Sequence, residues 1–330
     1  MTLLDLFKMS TSETDDEALI ARSLLYIGCG FLVLLPNAFC IIVFNSSKEF
    51  RQKFVFFTML SLSDMINGIS FILAGMGRYN LILAHRFHIQ TSKSECITQF
   101  VWPIFMLIGG QLPATFHCLL TVERVLAVNR VSWYRSHWSW RHRMYLTILG
   151  ITGCVALNLL AIWISYHDES RNSDRICAVF DSTGIIYGTA HYILIAFSYL
   201  IAFVVTLNLF WKSHKSKFLN TSERRKQMAI LILSGINVIM VSFPNTVLVA
   251  DEWHGKGFNV LFVGIAYLLY GIQSCFNLPI FYFFRLEFKR RLHDIFRCQY
   301  PNSVFFTSNN EMSRQQISRV GPTISRVGSR

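Results

Sequence analysis

The sequence predicts an all-α membrane protein: a bundle of seven transmembrane helices with an extracellular N-terminus and an amphipathic eighth helix at the cytoplasmic face. Of the 330 residues, 52% are hydrophobic and only 15% are charged, whereas a soluble domain carries about 25% charged residues. The apolar residues form seven long runs, and the net charge of +12 lies between them. A nucleic-acid-binding protein would spread that charge over a polar surface, so we expect no nucleic acid partner.

Each run is about as long as a bilayer is thick. The first, Leu24 to Phe44, contains no charged residue, and as a helix it reaches roughly 30 Å, the thickness of a hydrocarbon core. The alternating strands of about ten residues that mark an outer-membrane barrel are missing. We predict transmembrane helices over residues 24–44, 54–76, 97–122, 144–166, 185–211, 228–250 and 258–284.

The flanking segments complete a single membrane domain. Residues 1–23 are polar and acidic and lack the basic start and short apolar core of a cleavable signal peptide, so we expect an extracellular tail. In residues 285–298, apolar side chains recur every three or four positions with Lys and Arg between them, the pattern of a helix lying along an anionic inner leaflet. We expect residues 299–330 to be a disordered cytoplasmic tail.

The charge distribution predicts the orientation. With seven spans, one set of loops comprises residues 1–23, 77–96, 167–184 and 251–257 and holds eight Lys and Arg against twelve acids. The other set holds 23 Lys and Arg against six acids. Cytoplasmic loops carry the excess of Lys and Arg, which places the second set inside and the N-terminus outside.

Three cysteines lie outside the packed parts of the spans. Cys96 and Cys177 are the only two in predicted extracellular segments, where an oxidising compartment favours a disulfide between them over two free thiols. Cys298 follows the basic amphipathic segment on the cytoplasmic side. It suits S-palmitoylation, and an unmodified thiol is the alternative.

Asp64 is the one carboxylate well inside a predicted span. Such a group costs several kcal/mol or more unless it is paired or hydrated, so it is a functional candidate. We expect Asn37 and Asn277 to be its partners in a polar cluster between helices, which is either part of a switch or purely structural. An ion-driven transporter would show several such groups.

Two further features lie toward the cytoplasmic half. At the end of the third helix, Glu123 precedes Arg124, and we expect Glu123 to hold the Arg124 guanidinium from the side. Arg124 is then either an interfacial anchor or a latch that is released to a cytoplasmic partner. Pro244 interrupts the sixth helix and either lets its cytoplasmic half swing or forms a static kink.

In combination these features resemble the rhodopsin-like G-protein-coupled receptors. The resemblance is carried by Asn37, the Leu60-Ser-Leu-Ser-Asp64 sequence, Glu123-Arg124-Val125, Tyr199, Pro244, Pro279-Ile-Phe-Tyr282, Phe288 and the cysteines Cys96 and Cys177. Departures include Asn277, which precedes Pro279 by two residues, and Pro113, which stands where a small hydroxyl residue would help to bind sodium. The departures are similar to those of the divergent nematode chemosensory serpentine receptors (srsx- or srbc-like).

The resemblance implies a chemosensory or neuropeptide-like receptor at the plasma membrane, including that of a sensory cilium. It would bind an extracellular small molecule or peptide and activate a heterotrimeric G protein. We expect no enzymatic activity, cofactor or metal. Helix seven lacks the lysine of an opsin, and Met106 replaces the aspartate of amine receptors. Polar or central residues of the outer helix segments are the candidate pocket: Met106, Gln111, His191, Asn245 and Tyr267. The alternative function is a seven-span transporter or a ligand-gated channel subunit.

Overall fold

Seven long helical segments, which we call spans 1 to 7, make up most of the molecule. The computed structural model describes residues 3–168, 170–172, 174–215, 221–255 and 260–297. The spans are Leu3–Asn45, Val55–Leu83, Trp102–Asn129, Trp140–His167, Val179–Lys215, 221–253 and 260–284. Cys298 and the expected tail over 299–330 lie outside the described residues.

The seven predicted helices are confirmed, and all seven are long and apolar enough to cross a membrane. Their outer faces are apolar as well. In span 4 only 22% of the most apolar stretch is buried inside the protein, and Leu149, Leu159 and Trp163 are each at least 60% exposed. A continuous apolar exterior of this length suits a hydrocarbon environment, so the chain is a multi-pass membrane protein.

The spans pack as a closed bundle in which span 3 is central. Contacts join spans 1 and 2, 2 and 3, 3 and 4, 3 and 5, 5 and 6, 6 and 7, and 7 and 1. One end of the bundle, which we call the disulfide end, carries a bond between Cys96 and Cys177, as the sequence predicts. The other end carries Glu123, and we call it the Glu123 end.

Helices extend beyond the apolar runs at several places. Span 1 begins at Leu3, so residues expected to form a tail are helical. Span 2 continues to Leu83, past the predicted end at Met76. Arg78, which the sequence places in a loop, therefore lies within a helix and is 4% exposed.

The disulfide end is built from short elements held by polar contacts. Strand β1 (Thr91–Ser92) pairs antiparallel with β2 (Arg171–Asn172), and the helix Lys93–Gln99 begins with a capping box of Ser92 and Glu95. The backbone N–H of Ser92 is the main cause that lowers the pKa of Glu95. Lys93 forms an ion pair with Asp168 just after span 4, and this bond lowers the pKa of Asp168 to about 2.

Three spans contain breaks in regular α-helix. Span 5 is interrupted at Gly184, whose φ of 83° and ψ of 166° are outside the helical region. Span 6 contains a π-helical segment, Val238–Ser242, directly before Phe243–Trp253. Span 7 contains a 3-10 segment, Gln273–Phe276, before Asn277–Phe284.

A cluster of phenylalanines closes the Glu123 end. The rings of Phe44, Phe57, Phe281 and Phe288 lie with centroids 5.2 to 5.9 Å apart in successive contacts, and all four are buried. Phe288 belongs to the helix Leu286–Phe296. This cluster therefore fixes that helix against spans 1, 2 and 7.

Candidate functional site

A cavity of about 450 Å³ lies at the disulfide end, and we call it the vestibule. Its size is within the range of small-molecule sites in proteins. Its walls come from spans 1, 2, 5, 6 and 7 and from the segments that follow spans 2 and 4. The lining side chains that carry formal charge are Arg22, Arg78, Asp174, Asp181, Asp251 and Glu252.

The loop wall of the vestibule is held by three bonds at two consecutive residues. Arg78 donates from Nε to the carbonyl oxygen of Ile176 over 2.9 Å. The next residue, Cys177, is tied to Cys96 by the disulfide, and its carbonyl oxygen accepts a hydrogen bond from Nε1 of Trp102 over 3.1 Å. The disulfide thus acts together with spans 2 and 3 to fix one wall of the cavity.

Two arginines meet around one tyrosine at the floor of the vestibule. The guanidinium carbons of Arg22 and Arg78 each lie 5.7 Å from the ring centroid of Tyr26, which is 3% exposed. The two guanidinium carbons are therefore no farther apart than twice this distance. Within the described part of the chain neither arginine forms an ion pair, so two positive charges face the cavity together.

Next to the vestibule lies an inner chamber of about 20 Å³, which is room for a single water molecule. Arg78, Leu248 and Tyr267 line both spaces, so the two are adjacent. Three predicted pocket residues, Met106, His191 and Tyr267, line the chamber. The other polar residues of its wall are Tyr26, Asn67, Ser70, Tyr192 and Tyr270.

Gln111 lies beside the chamber rather than in its wall. Its side-chain amide donates to Nδ1 of His191 over 3.1 Å and to the hydroxyl of Tyr187 over 3.2 Å. Its side-chain carbonyl accepts from Asn158 over 3.0 Å. Gln111 therefore joins spans 3, 4 and 5 and orients His191, which faces the chamber.

Asn245, the fifth predicted pocket residue, lines neither space. It is 1% exposed, and neither polar atom of its side chain has a hydrogen-bond partner in the described parts of the chain. It follows Pro244 and the π-helical segment of span 6. The break in span 6 is thus accompanied by a buried amide whose hydrogen bonds are not satisfied by any described residue.

The structure brings Asp64, Asn37 and Asn277 together. Asn277 donates from Nδ2 to Oδ2 of Asp64 over 2.6 Å and to Oδ1 of Asn37 over 3.0 Å. Ser274 donates to Oδ1 of Asp64 over 2.6 Å, and its carbonyl accepts from Asn37 over 3.1 Å. Both carboxylate oxygens of Asp64 are therefore hydrogen-bonded, and the cluster joins spans 1, 2 and 7.

The inner chamber lies one helical turn from this cluster. Asn67, which lines the chamber, follows Asp64 by three positions, and Tyr270 precedes Gln273 by three positions. Residues three apart on a helix are neighbours on one face. Gln273 in turn donates to the Ser274 hydroxyl over 2.6 Å, so side chains connect the chamber wall to the Asp64 cluster.

The prediction that Glu123 holds the Arg124 guanidinium is wrong. Glu123 instead accepts hydrogen bonds at Oε1 from Nε of Arg143 over 2.7 Å, from the hydroxyl of Tyr134 over 2.8 Å and from Nε1 of Trp138 over 3.2 Å. Adjacent residues point to different faces of a helix, and Arg143 of span 4 reaches the face of Glu123. Burial and the nearby Glu123 carboxylate raise the pKa of Tyr134, which keeps its hydroxyl protonated as a donor.

Arg124 itself is half-buried, and its Nε has no hydrogen-bond partner among the described residues. Tyr282 contacts His293 through its hydroxyl over 3.3 Å, and Pro279 lies one turn earlier in the last segment of span 7. Tyr199 is 2% exposed and packs against His117. These predicted residues lie at separate places in the bundle rather than in one cluster.

Sequence reasoning missed Arg78, Arg22 and Tyr26. Both arginines fall outside the apolar runs, so they are counted as loop charges, and only the extension of spans 1 and 2 places them in the cavity wall. Their positions in the sequence do not indicate that both arginines contact the ring of Tyr26. Among the described residues, no group of three or more His, Cys, Asp or Glu side chains is placed to hold a metal ion.

No protein-family model matches the sequence, and no curated protein is significantly similar to it.

Proposed function

We propose that this protein is a rhodopsin-like G-protein-coupled receptor of the chemosensory or neuropeptide-like kind, in the plasma membrane with its N-terminus outside. The division of charge between the two sets of loops supports this orientation. The disulfide supports it independently, because such bonds persist in oxidising compartments. On this proposal the disulfide end is extracellular and the Glu123 end is cytoplasmic.

One observation carries the proposal. The vestibule at the disulfide end shares wall residues with the inner chamber, and the chamber wall comes within one helical turn of the hydrogen-bonded cluster around Asp64. A ligand in this cavity would contact spans whose mutual packing depends on that cluster. A receptor needs such a connection between an outer site and the packing of the whole bundle.

The ligand acts by stabilising one of two arrangements of the spans, and the shift is no larger than its differential affinity for them. The inner chamber is too narrow for more than a water molecule, so deeper binding requires the surrounding spans to move apart. The π-helical segment Val238–Ser242 and Pro244 supply a place for span 6 to bend. π-Helical turns of this kind are frequent at functional sites.

The cytoplasmic end would engage the G protein. Arg124 is not bound by Glu123 and is free to meet a partner when span 6 moves, while Arg143 keeps the Glu123 carboxylate neutralised. The basic segments beside spans 4 and 6 attract the anionic inner leaflet and steer an acidic partner. The amphipathic helix Leu286–Phe296 would lie along that leaflet with Phe288 anchored in the bundle.

The test is a ligand panel applied to cells that express the full chain with a promiscuous G protein, read by calcium release. An active compound is then tested on Arg124→Ala, with Arg141→Ala as the matched control, because Arg141 is exposed at the same end. We expect loss of the calcium response in Arg124→Ala at normal surface expression and no change in Arg141→Ala.

Full signalling by a normally trafficked Arg124→Ala variant would contradict the proposed coupling. The transporter or channel alternative predicts a different result. Ligand-dependent ion or solute flux in proteoliposomes that contain the purified chain and no G protein would establish that alternative.

A further inference from the structure

The vestibule contains a buried arginine whose donors are only partly used. Arg78 is 4% exposed, and its Nε is occupied by the carbonyl of Ile176. No hydrogen bond to a described residue engages its two terminal nitrogens, and the residue lines both the vestibule and the inner chamber. Burying a charged donor without a partner is costly, so this guanidinium is suited to an oxyanion that arrives from the cavity.

Arg22 reinforces this preference. Its guanidinium and that of Arg78 lie at equal distances from the Tyr26 ring. The two positive charges repel each other, while the Asp181 carboxylate attracts Arg78. A carboxylate that accepts charge-assisted hydrogen bonds from Arg78 would also be attracted to Arg22 and would offset this repulsion. The aromatic ring holds the two side chains in place before a ligand binds.

The other charged side chains of the vestibule wall are acidic. Four carboxylates line it: Asp174, Asp181, Asp251 and Glu252. Asp174 and Asp181 are fixed by the backbone N–H groups of Ile176 and Ala178, at the same loop that Arg78 holds. A ligand that was only anionic would meet this acidic wall, whereas a ligand with an ammonium group and one carboxylate is complementary to both parts.

We propose that the vestibule binds a small zwitterion, a free amino acid or a short peptide with free termini, whose carboxylate is bound by Arg78 and attracted to the nearby charge of Arg22. The ammonium group faces the acidic wall, and an apolar side chain points toward Leu248 and Tyr267 at the mouth of the inner chamber. This assignment rests on the proposed function only because both place the ligand in the vestibule.

The experiment uses the full chain in nanodiscs of neutral phosphatidylcholine, so that lipid phosphates add no net charge. Thermal unfolding is followed while leucine, the sodium salt of N-acetylleucine or leucinamide hydrochloride is added, and the sodium chloride concentration is adjusted in each series to keep the ionic strength constant. All three probes carry the leucine side chain. Leucine has both an ammonium group and a carboxylate, N-acetylleucine has only the carboxylate, and leucinamide has only the ammonium group. We expect leucine to raise the unfolding temperature in a saturable way. N-acetylleucine should do the same with a midpoint concentration several-fold higher, and leucinamide should not raise the unfolding temperature.

Variants of the two arginines test whether leucine binds in the vestibule. Arg22→Gln leaves the bond between Arg78 and Ile176 intact, and Arg78→Lys keeps the charge but loses the planar fork of donors. We expect each variant to raise the midpoint concentration of leucine at least tenfold. Arg86→Gln removes the same charge from an exposed position at the same end and should leave the midpoint unchanged.

Three results would overturn the inference: no saturable effect of leucine on the wild-type chain, stabilisation by leucinamide equal to that by leucine, or an equal leucine midpoint in all four proteins. No G protein is present in this measurement. A chain that signals through a G protein but ignores leucine would refute the zwitterion site alone. Leucine binding that depends on Arg22, in a chain that never elicits calcium release, would instead count against the receptor function.

Discussion

Glu123 is bound by Arg143, twenty positions later in the chain, and not by its neighbour Arg124. The Nε of Arg143 lies 2.7 Å from Oε1 of Glu123, and both side chains are largely buried, at 13% and 5% exposure. The ion pair joins spans 3 and 4 and includes the hydroxyl of Tyr134. The acidic residue of the Glu-Arg-Val sequence therefore has a defined structural partner, while the arginine does not depend on it.

Removal of Arg143 should destabilise the bundle. Arg143→Ala leaves the buried Glu123 carboxylate without its countercharge, and breaking such a pair costs about 3–5 kcal/mol. We expect a clear fall in the unfolding temperature of the chain in nanodiscs. Arg141→Ala, two positions away and exposed, is the control and should change it little. If Glu123→Gln combined with Arg143→Ala is no more stable than Arg143→Ala alone, the unpaired charge is not the cause.

Asn277 should stabilise the bundle because its side-chain amide donates hydrogen bonds to two acceptors at once. Asn277→Ala removes the donor to Asp64 and the donor to Asn37, and each buried acceptor left unpaired costs about 1–3 kcal/mol. We expect lower thermal stability and, in a signalling assay, an altered basal response. Phe276→Leu changes the neighbouring, 37% exposed side chain and serves as the control. Equal unfolding temperatures for Asn277→Ala and wild type would show that the cluster does not hold spans 1, 2 and 7 together.

Gly184 should tolerate no side chain. Its φ of 83° and ψ of 166° belong to a region that is essentially restricted to glycine, at a cost on the order of 1–3 kcal/mol for other residues. A Cβ would also lie 3.1 Å from Nζ of Lys93 and 3.2 Å from Oδ2 of Asp168. Gly184→Ala should lower the unfolding temperature, whereas Gly153→Ala, with open space around it, should not. Similar unfolding temperatures for the two variants would rule out the strained position.

The ion pair between Lys93 and Asp168 should make stability depend on pH in acid. The bond to Lys93 is the main cause that lowers the pKa of Asp168 from 3.8 to about 2. A carboxylate whose folded pKa is depressed contributes stability above its unfolded pKa and loses it as pH falls toward the folded value. The stability difference between wild type and Asp168→Asn should therefore be constant above about pH 5 and shrink between about pH 4 and pH 2.

Lys93→Ala provides the matched test of that assignment. Without the ammonium group the pKa of Asp168 should return toward its ordinary value, and the acid-dependent part of the stability should become smaller. The measurement is the unfolding temperature in nanodiscs at each pH for the three proteins. A difference between wild type and Asp168→Asn that does not change with pH would show that the ion pair contributes nothing through titration.

Much of the fold follows from features that are local in the sequence. An apolar run of more than twenty residues has few alternatives to a membrane helix, because its backbone polar groups must be satisfied within the segment. The position of Asp64 in such a run marks it for burial with partners, and Asn37 and Asn277 are its partners in the structure. Cys96 and Cys177 follow from the same reasoning, since the predicted orientation leaves only two cysteines outside.

Side-chain partners between helices are less accessible to this reasoning. Glu123 and Arg124 are adjacent in sequence, yet helix geometry separates them and brings Arg143 to Glu123. The vestibule is a similar case, because helical extension beyond the apolar runs turns Arg22 and Arg78 from loop charges into cavity walls. Gln111 and Asn245 have suitable chemistry for a pocket, but helix rotation buries them beside it.

Seven membrane-spanning helices, the buried polar position of Asp64 and the pairing of Cys96 with Cys177 can all be predicted from the chain alone, since they depend on hydrophobic length and on composition along each segment. The convergence of Arg78 and Arg22 on Tyr26 and the neutralisation of Glu123 by Arg143 emerge from the folded bundle. Those contacts depend on the rotation and offset of the packed helices. Side-chain packing across the whole bundle sets both, so they cannot be predicted from any single segment of the sequence.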